Sequence, residues 1–201
     1  MELLHFTGQV WRPPYEASSQ LLQVTAGCTH SKCKFCSLYH GTKFRLSPIA
    51  EVEEDLKVIQ DYQPRARRVF LTGANPFALS YNRLLDLGLL IRKYLRYCES
   101  IGMFSRISDI KSKTVEELQN LRHLGFDSIS IGTESGDDNT LAMMNKGYTA
   151  NDIIEQCKKL EEANIRYNFV YLTGLAGRNK GEQNAVNTAN VFNQLHPFTI
   201  N

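Results

Sequence analysis

The chain has 201 residues, 42% of them apolar and 22% charged, with six prolines. That composition excludes collagen-like, low-complexity and intrinsically disordered classes, and a chain this long buries a core without disulfides. With 23 basic and 21 acidic residues the net charge is +2, which gives no general attraction to nucleic acid or to a membrane surface.

In chain order, Leu21–Thr25 reads as a first strand. Ser47-Pro48 opens a helix, with Ser47 as N-cap and Ile49, Val52, Leu56 and Ile59 on one face. Arg68–Thr72 is a second strand, and the arginines at 65, 67 and 68 are expected to face solvent. A long helix over Tyr81–Glu99 carries Leu84, Leu87, Ile91, Leu95 and Cys98 inward. Met103–Ile107 is a third strand. Thr114 and Glu117 form a capping box for a helix bearing Leu118, Leu121 and Leu124, closed by Gly125. Ser128–Ile131 is a fourth strand, and Thr149 caps a helix with Ile153, Ile154, Cys157 and Leu160 inward. Tyr167–Leu172 is a fifth strand, Gly181–Leu195 a weaker helix, and Phe198–Asn201 a sixth strand.

Strands that alternate with helices imply right-handed βαβ units and a parallel sheet. The expected fold is α/β, a partial (β/α)6 TIM-like barrel in one domain over 1–201, cut short near the sixth strand. Ligands of such sheets lie outside the carboxyl ends of the strands. No run approaches the roughly 18 apolar residues of a membrane helix; the most apolar stretch, Leu84–Ile91, is broken by Asp86. Met1–His5 lacks the basic flank and apolar run of a signal peptide. The expected compartment is therefore the cytoplasm, where thiols stay reduced, and five cysteines, an odd number, also argue against a disulfide framework.

The first strand is followed by Gly27-Cys28-Thr29-His30-Ser31-Lys32-Cys33-Lys34-Phe35-Cys36. The two-residue gap between Cys33 and Cys36 lets two thiolates converge on one metal centre, and Cys28 can close on it. Cys98 and Cys157 read as small core hydrophobes. Three thiolates without a fourth suit an iron–sulfur cluster with one open iron. A zinc site with His30 as fourth ligand is the competing reading. Lys32, Lys34, Lys43 and Arg45 flank the loop and are suited to offset cluster charge or to meet an anion.

This Gly-Cys loop ending in Cys-x-aromatic-Cys resembles the radical S-adenosylmethionine (SAM) enzyme superfamily. Its C-x4-C-x2-C spacing, with Lys43-Phe44-Arg45 beyond it, is similar to the elongator and oxygen-independent coproporphyrinogen oxidase-like branch. The resemblance implies that Cys28, Cys33 and Cys36 hold a 4Fe-4S cluster. It also implies that the open iron binds SAM, that a reductant such as a flavodoxin or ferredoxin supplies an electron, and that a 5′-deoxyadenosyl radical attacks an unknown substrate. Catalytic residues beyond the ligands are not identified by it. A cluster-binding protein that makes no use of SAM is the alternative.

The same resemblance assigns the later strand ends. Gly73, Ala74 and Asn75 occupy the turn that holds the cofactor's methionine end, with Asn75 where relatives carry an acid. Arg106 would meet the cofactor carboxylate or line the substrate pocket. Glu134 and Ser135 would lie near the ribose and methionine, Gly174 near the adenine, and Phe35 beside it. Met144-Asn145-Lys146-Gly147 also matches the spacing of relatives.

Overall fold

The computed structural model describes residues 4–201; part of the signal-peptide reading falls on residues 1–3, outside them. Six parallel strands form one sheet in the order β1 (Gln20–Gln23), β4 (Arg68–Thr72), β5 (Ser100–Ser105), β6 (Phe126–Glu134), β7 (Arg166–Tyr171) and β8 (Thr199–Ile200). Two short strands, β2 (Thr25–Ala26) and β3 (Arg45–Leu46), pair antiparallel at the base of the cysteine loop. Helices α1 (Ile49–Tyr62), α2 (Tyr81–Tyr94), α4 (Val115–His123), α6 (Ala150–Glu162) and α7 (Gly181–Phe192) pack in succession on one face. The short helices α3 (Ile107–Lys111) and α5 (Asp138–Met143) follow β5 and β6. The fold is the partial (β/α)6 barrel that the strand–helix alternation implies.

Side-chain alternation splits the sheet into two faces. Leu22, Val69, Leu71, Ile101, Met103, Ile129, Ile131, Tyr167 and Phe169 enter the core beneath the helices. The other face carries Gln23, Phe70, Thr72, Phe104, Ser130 and Asn168, with Phe70 and Phe104 edge to face at 5.2 Å. Register sets Gln23 beside Thr72, and Phe104, Ser130, Asn168 and Thr199 side by side. This concave face is crossed by residues 4–19, which the sequence left without an element. Thr7 donates its amide to Gln23 Oε1 at 2.9 Å, and the Tyr15 hydroxyl meets Ser130 Oγ at 2.6 Å. Glu16, in a 3-10 turn over Pro14–Glu16, pairs with Arg68.

Several boundaries differ from the sequence reading. The first strand stops at Gln23, because Thr25–Ala26 turns to pair with Arg45–Leu46. Ser47 does not cap α1. Its amide donates to Val24 O and holds it extended, Pro48 is the N-cap residue, and the buried Ser47 hydroxyl has no partner among the described residues. Helix α2 ends at Tyr94 rather than Glu99, since Glu99 must donate its amide to Arg67 O as the chain turns into β5. Cys98 therefore sits in a turn, though still buried. β5 begins and ends before the expected Met103–Ile107, which puts Ile107 in α3. Arg68 does not face solvent: Glu16 and Asp127 grip its guanidinium at 2.5–3.0 Å. The capping boxes at Thr114–Glu117 and Thr149–Asp152 form, and Gly125 follows α4 at φ +103°.

Candidate cofactor site

The cysteine loop is held from two sides. The Ala74 amide donates to Gly27 O, and Asn75 Oδ1 accepts the Thr29 amide while its Nδ2 donates to Thr29 Oγ1 and Asp109 Oδ2. From the far side, the turn after α5 takes the Lys34 amide on Met144 O, gives Asn145 Nδ2 to Lys32 O, and places Asn145 O 2.6 Å from His30 Nε2. His30 is thereby tied to the protein backbone, which argues against its use as a fourth metal ligand.

Cys28, Cys33 and Cys36 line one cavity of about 270 Å³. Phe35, Ala74, Phe104, Arg106, Glu134 and Lys146 also line it. The three thiols therefore share a space at the carboxyl ends of the strands, where a parallel sheet binds ligands. Among the described residues, no three Cys, His, Asp or Glu groups are gathered closely enough to share one metal ion. A structural zinc needs four ligands on one ion, whereas the cysteines of an iron–sulfur cluster serve separate irons. A soft thiolate donor set beside two cations fits such a cluster. All five cysteines are free thiols.

Electrostatics around the thiols follow from burial. Burial pushes the Cys33 thiol up, while nearby Lys146 and Arg106 pull it toward thiolate. Lys146 is almost wholly buried; it donates to Gly132 O at 2.7 Å and lies 3.6 Å from Glu134 Oε1. Burial lowers this ammonium and raises the Glu134 carboxyl, and each partly offsets the shift of the other. Glu134 sits at φ +62° beside a register shift in β6. A Cβ on Gly132 would stand 2.7 Å from Glu134 Oε1, so glycine there gives the carboxylate its room. Arg106 gives one Nη to Ser108 Oγ and the other to Lys146 O, but its buried Nε has no partner among the described residues.

The sequence candidates thus divide. Cys28, Cys33, Cys36, Phe35, Ala74, Arg106 and Glu134 line the cavity. Asn75 does not: it is fully buried and its carboxamide is spent on Thr29 and Asp109. Ser135 is turned toward α7 and bonds Asn184 Oδ1 at 2.5 Å. Gly73 packs behind the turn against Thr25, and Gly174 is exposed, away from the cavity lining. The sequence did not single out Lys146, Tyr39, Phe104, Val170 or Trp11, which all line the cavity. For Phe104 and Val170 the alternating pattern of β5 and β7 carries the signal. Lys146 lies in a turn that matched only by spacing, and nothing in the sequence points to Trp11.

A model of the Radical SAM superfamily matches residues 22–189, and the chain belongs to that superfamily. The heme chaperone HemW of Bacillus subtilis (strain 168) is 22% identical over 172 residues, covering 81% of this chain and 44% of HemW. The methyltransferase TsrM from Kitasatospora setae, solved with cobalamin and a [4Fe-4S] cluster, superposes with a TM-score of 0.72 at 16% identity, over 90% of this chain and 36% of TsrM. Methylornithine synthase (PylB) gives a TM-score of 0.66 at 14% identity, over 90% of this chain and 51% of that one. The chain spans less than half the length of HemW and of TsrM. Among the described residues, no helix is long and apolar enough to cross a membrane.

Proposed function

We propose that residues 1–201 are one radical SAM core domain in which Cys28, Cys33 and Cys36 hold a 4Fe-4S cluster that cleaves SAM for attack on a substrate still to be identified. The observation that carries this reading is the shared cavity of the three loop thiols with Arg106, Glu134 and Lys146. A 4Fe-4S cluster held by these cysteines would pass one electron from an external reductant to SAM, splitting the sulfonium–carbon bond into methionine and the 5′-deoxyadenosyl radical.

The chain's own residues bind and orient. Arg106 and Lys146 favour thiolate at Cys33 and offset the negative charge of a thiolate-ligated cluster. The unpartnered Nε of Arg106 is a donor for a carboxylate such as that of the methionine moiety. Glu134 is positioned to accept from ribose hydroxyls, and Phe35 offers a flat apolar face. Asn75, Gly73 and Ser135 support the wall instead of touching the ligand. Exposed Lys32, Lys34 and Lys43 around the loop suit an acidic electron donor such as a flavodoxin or ferredoxin. Thiols that must stay reduced to ligate iron suit a reducing compartment such as the cytoplasm.

Anaerobic reconstitution tests the reading. Cys28→Ala, Cys33→Ala and Cys36→Ala should each lose bound iron and sulfide, while Cys98→Ala and Cys157→Ala keep both. Dithionite-reduced wild type given SAM should release 5′-deoxyadenosine. Full iron in the Cys33→Ala protein refutes the ligand set. The alternative, a cluster domain without SAM chemistry, draws on the internal engagement of Asn75; iron-loaded protein that never yields 5′-deoxyadenosine would select it.

A further inference from the structure

The segment from Thr7 to Tyr15 is a strap with slack. Its anchors, Thr7 on Gln23 and Tyr15 on Ser130, stand on one row across the sheet, three strands apart. Strands spaced about 4.8 Å put those anchors roughly 14 Å apart, and eight extended residues reach about 27 Å. The strap therefore bows. The slack begins at Gly8, at φ +76°, where a Cβ would meet only open space, and ends at the stiff Pro13-Pro14 pair. Among the described residues, Gly8 to Trp11 make no hydrogen bond to the rest of the chain. The chain's single tryptophan, Trp11, lies in this bow and lines the cysteine cavity.

We infer that Trp11, carried on the slack of the strap, forms the substrate-side wall of the cavity and takes an uncharged, flat group of the substrate. The inference rests on the reading of this cavity as the cofactor site. The formal charges in the lining come from Arg106, Glu134 and Lys146 and from the cysteine loop, all given there to the cluster and SAM. The larger side chains that remain are Trp11, Leu38, Tyr39, Phe104 and Val170, with His40 at the exposed rim. Three of those five are aromatic and none is charged near neutral pH; burial pushes the Tyr39 hydroxyl up to about 12. A charged substrate group would find no partner on this wall, whereas a flat neutral one would stack. The superfamily match begins at residue 22, so the strap lies outside the matched span. Trp11 is 41% exposed, so its replacement removes little core.

The test is calorimetry on the cluster-loaded chain with saturating SAM, using three probes: indole, cyclohexanol and indole-3-carboxylate. Indole should bind saturably, and the non-planar and the anionic probes should not. Trp11→Ala should weaken indole by at least about five-fold, and Trp11→Phe should restore most of the affinity. Equal binding of all three probes, or indole binding indifferent to Trp11→Ala, overturns the inference. So does displacement of indole by SAM, which would make Trp11 part of the adenine wall. If the loaded chain binds no SAM at all, the proposed function fails, yet the probe series without SAM still reads the wall.

Discussion

At the scale of single residues, Asn75 shows how a motif position and a side-chain role come apart. Its place in the Gly73-Ala74-Asn75-Pro76 turn suggests a cofactor contact, but its amide joins the cysteine loop to α3 through Thr29 and Asp109. Asn75→Ala would leave a buried carboxylate oxygen and the Thr29 amide short of partners, which costs about 1–3 kcal/mol. Urea unfolding should show a lower midpoint at unchanged slope. Gly73 is the second such case: at φ +135°, a Cβ there would lie 1.9 Å from Thr25 Oγ1. Gly73→Ala should therefore destabilise by about 1–3 kcal/mol through overpacking and strain, again read from the unfolding midpoint. That the cysteines, Arg106 and Glu134 would gather at one end of the sheet was legible, because the strand–helix alternation marks the strand ends and the resemblance points to these residues there. The roles of Asn75 and Ser135 were not, because which way a short polar side chain turns depends on partners 34 and 49 residues away.

At the scale of elements, long helices with caps and regular apolar spacing were readable, and α3 and α5 were not. Five or six residues make under two turns, too few for a period to appear. The strap was illegible for a different reason: its anchors are tertiary. One end is pinned by His5, whose amide and Nδ1 both meet Asp55 Oδ1 at 2.8–2.9 Å, with Glu54 and Glu51 also near. The hydrogen bond to Asp55 raises the His5 pKa above its usual 6.5. A raised histidine stabilises the docked state fully below the unfolded pKa, and that contribution is lost as pH rises through the folded value. Hydrogen exchange at the His5 amide should therefore show protection that falls as pH climbs past 6.5, after correction for intrinsic rates. His5→Gln should flatten that dependence.

At the scale of the whole molecule, the parallel order of the sheet follows from the strand–helix alternation, but the filling of its concave face does not. Arg68 looked like a solvated residue ahead of a strand. Instead Glu16 and Asp127 converge on it, and Asp127 also takes Arg166 at 2.7 Å. This network ties the strap to β4, β6 and β7. Glu16 is buried while Arg68 keeps some solvent contact. Glu16→Gln should thus cost about 3 kcal/mol, the lower end for breaking a buried pair, measured by chemical denaturation.

The pairing of Tyr15 with Ser130 also sets a timetable for making the protein. These partners are 115 residues apart in the chain. At a ribosomal rate of about 5–20 residues per second, Tyr15 waits roughly 6–23 seconds before its partner even exists. Until β6 is laid down, Tyr15 has no Ser130 to meet, although Gln23, Asp55 and Arg68 already offer partners to Thr7, His5 and Glu16, and Trp11 faces a cavity still lacking Glu134, Lys146 and Val170. Closure of the concave face is a late event in the birth of the fold, and a nascent chain stalled before residue 126 should leave residues 8–15 more open to protease than the finished chain does, while α1 and α2 are already complete in sequence.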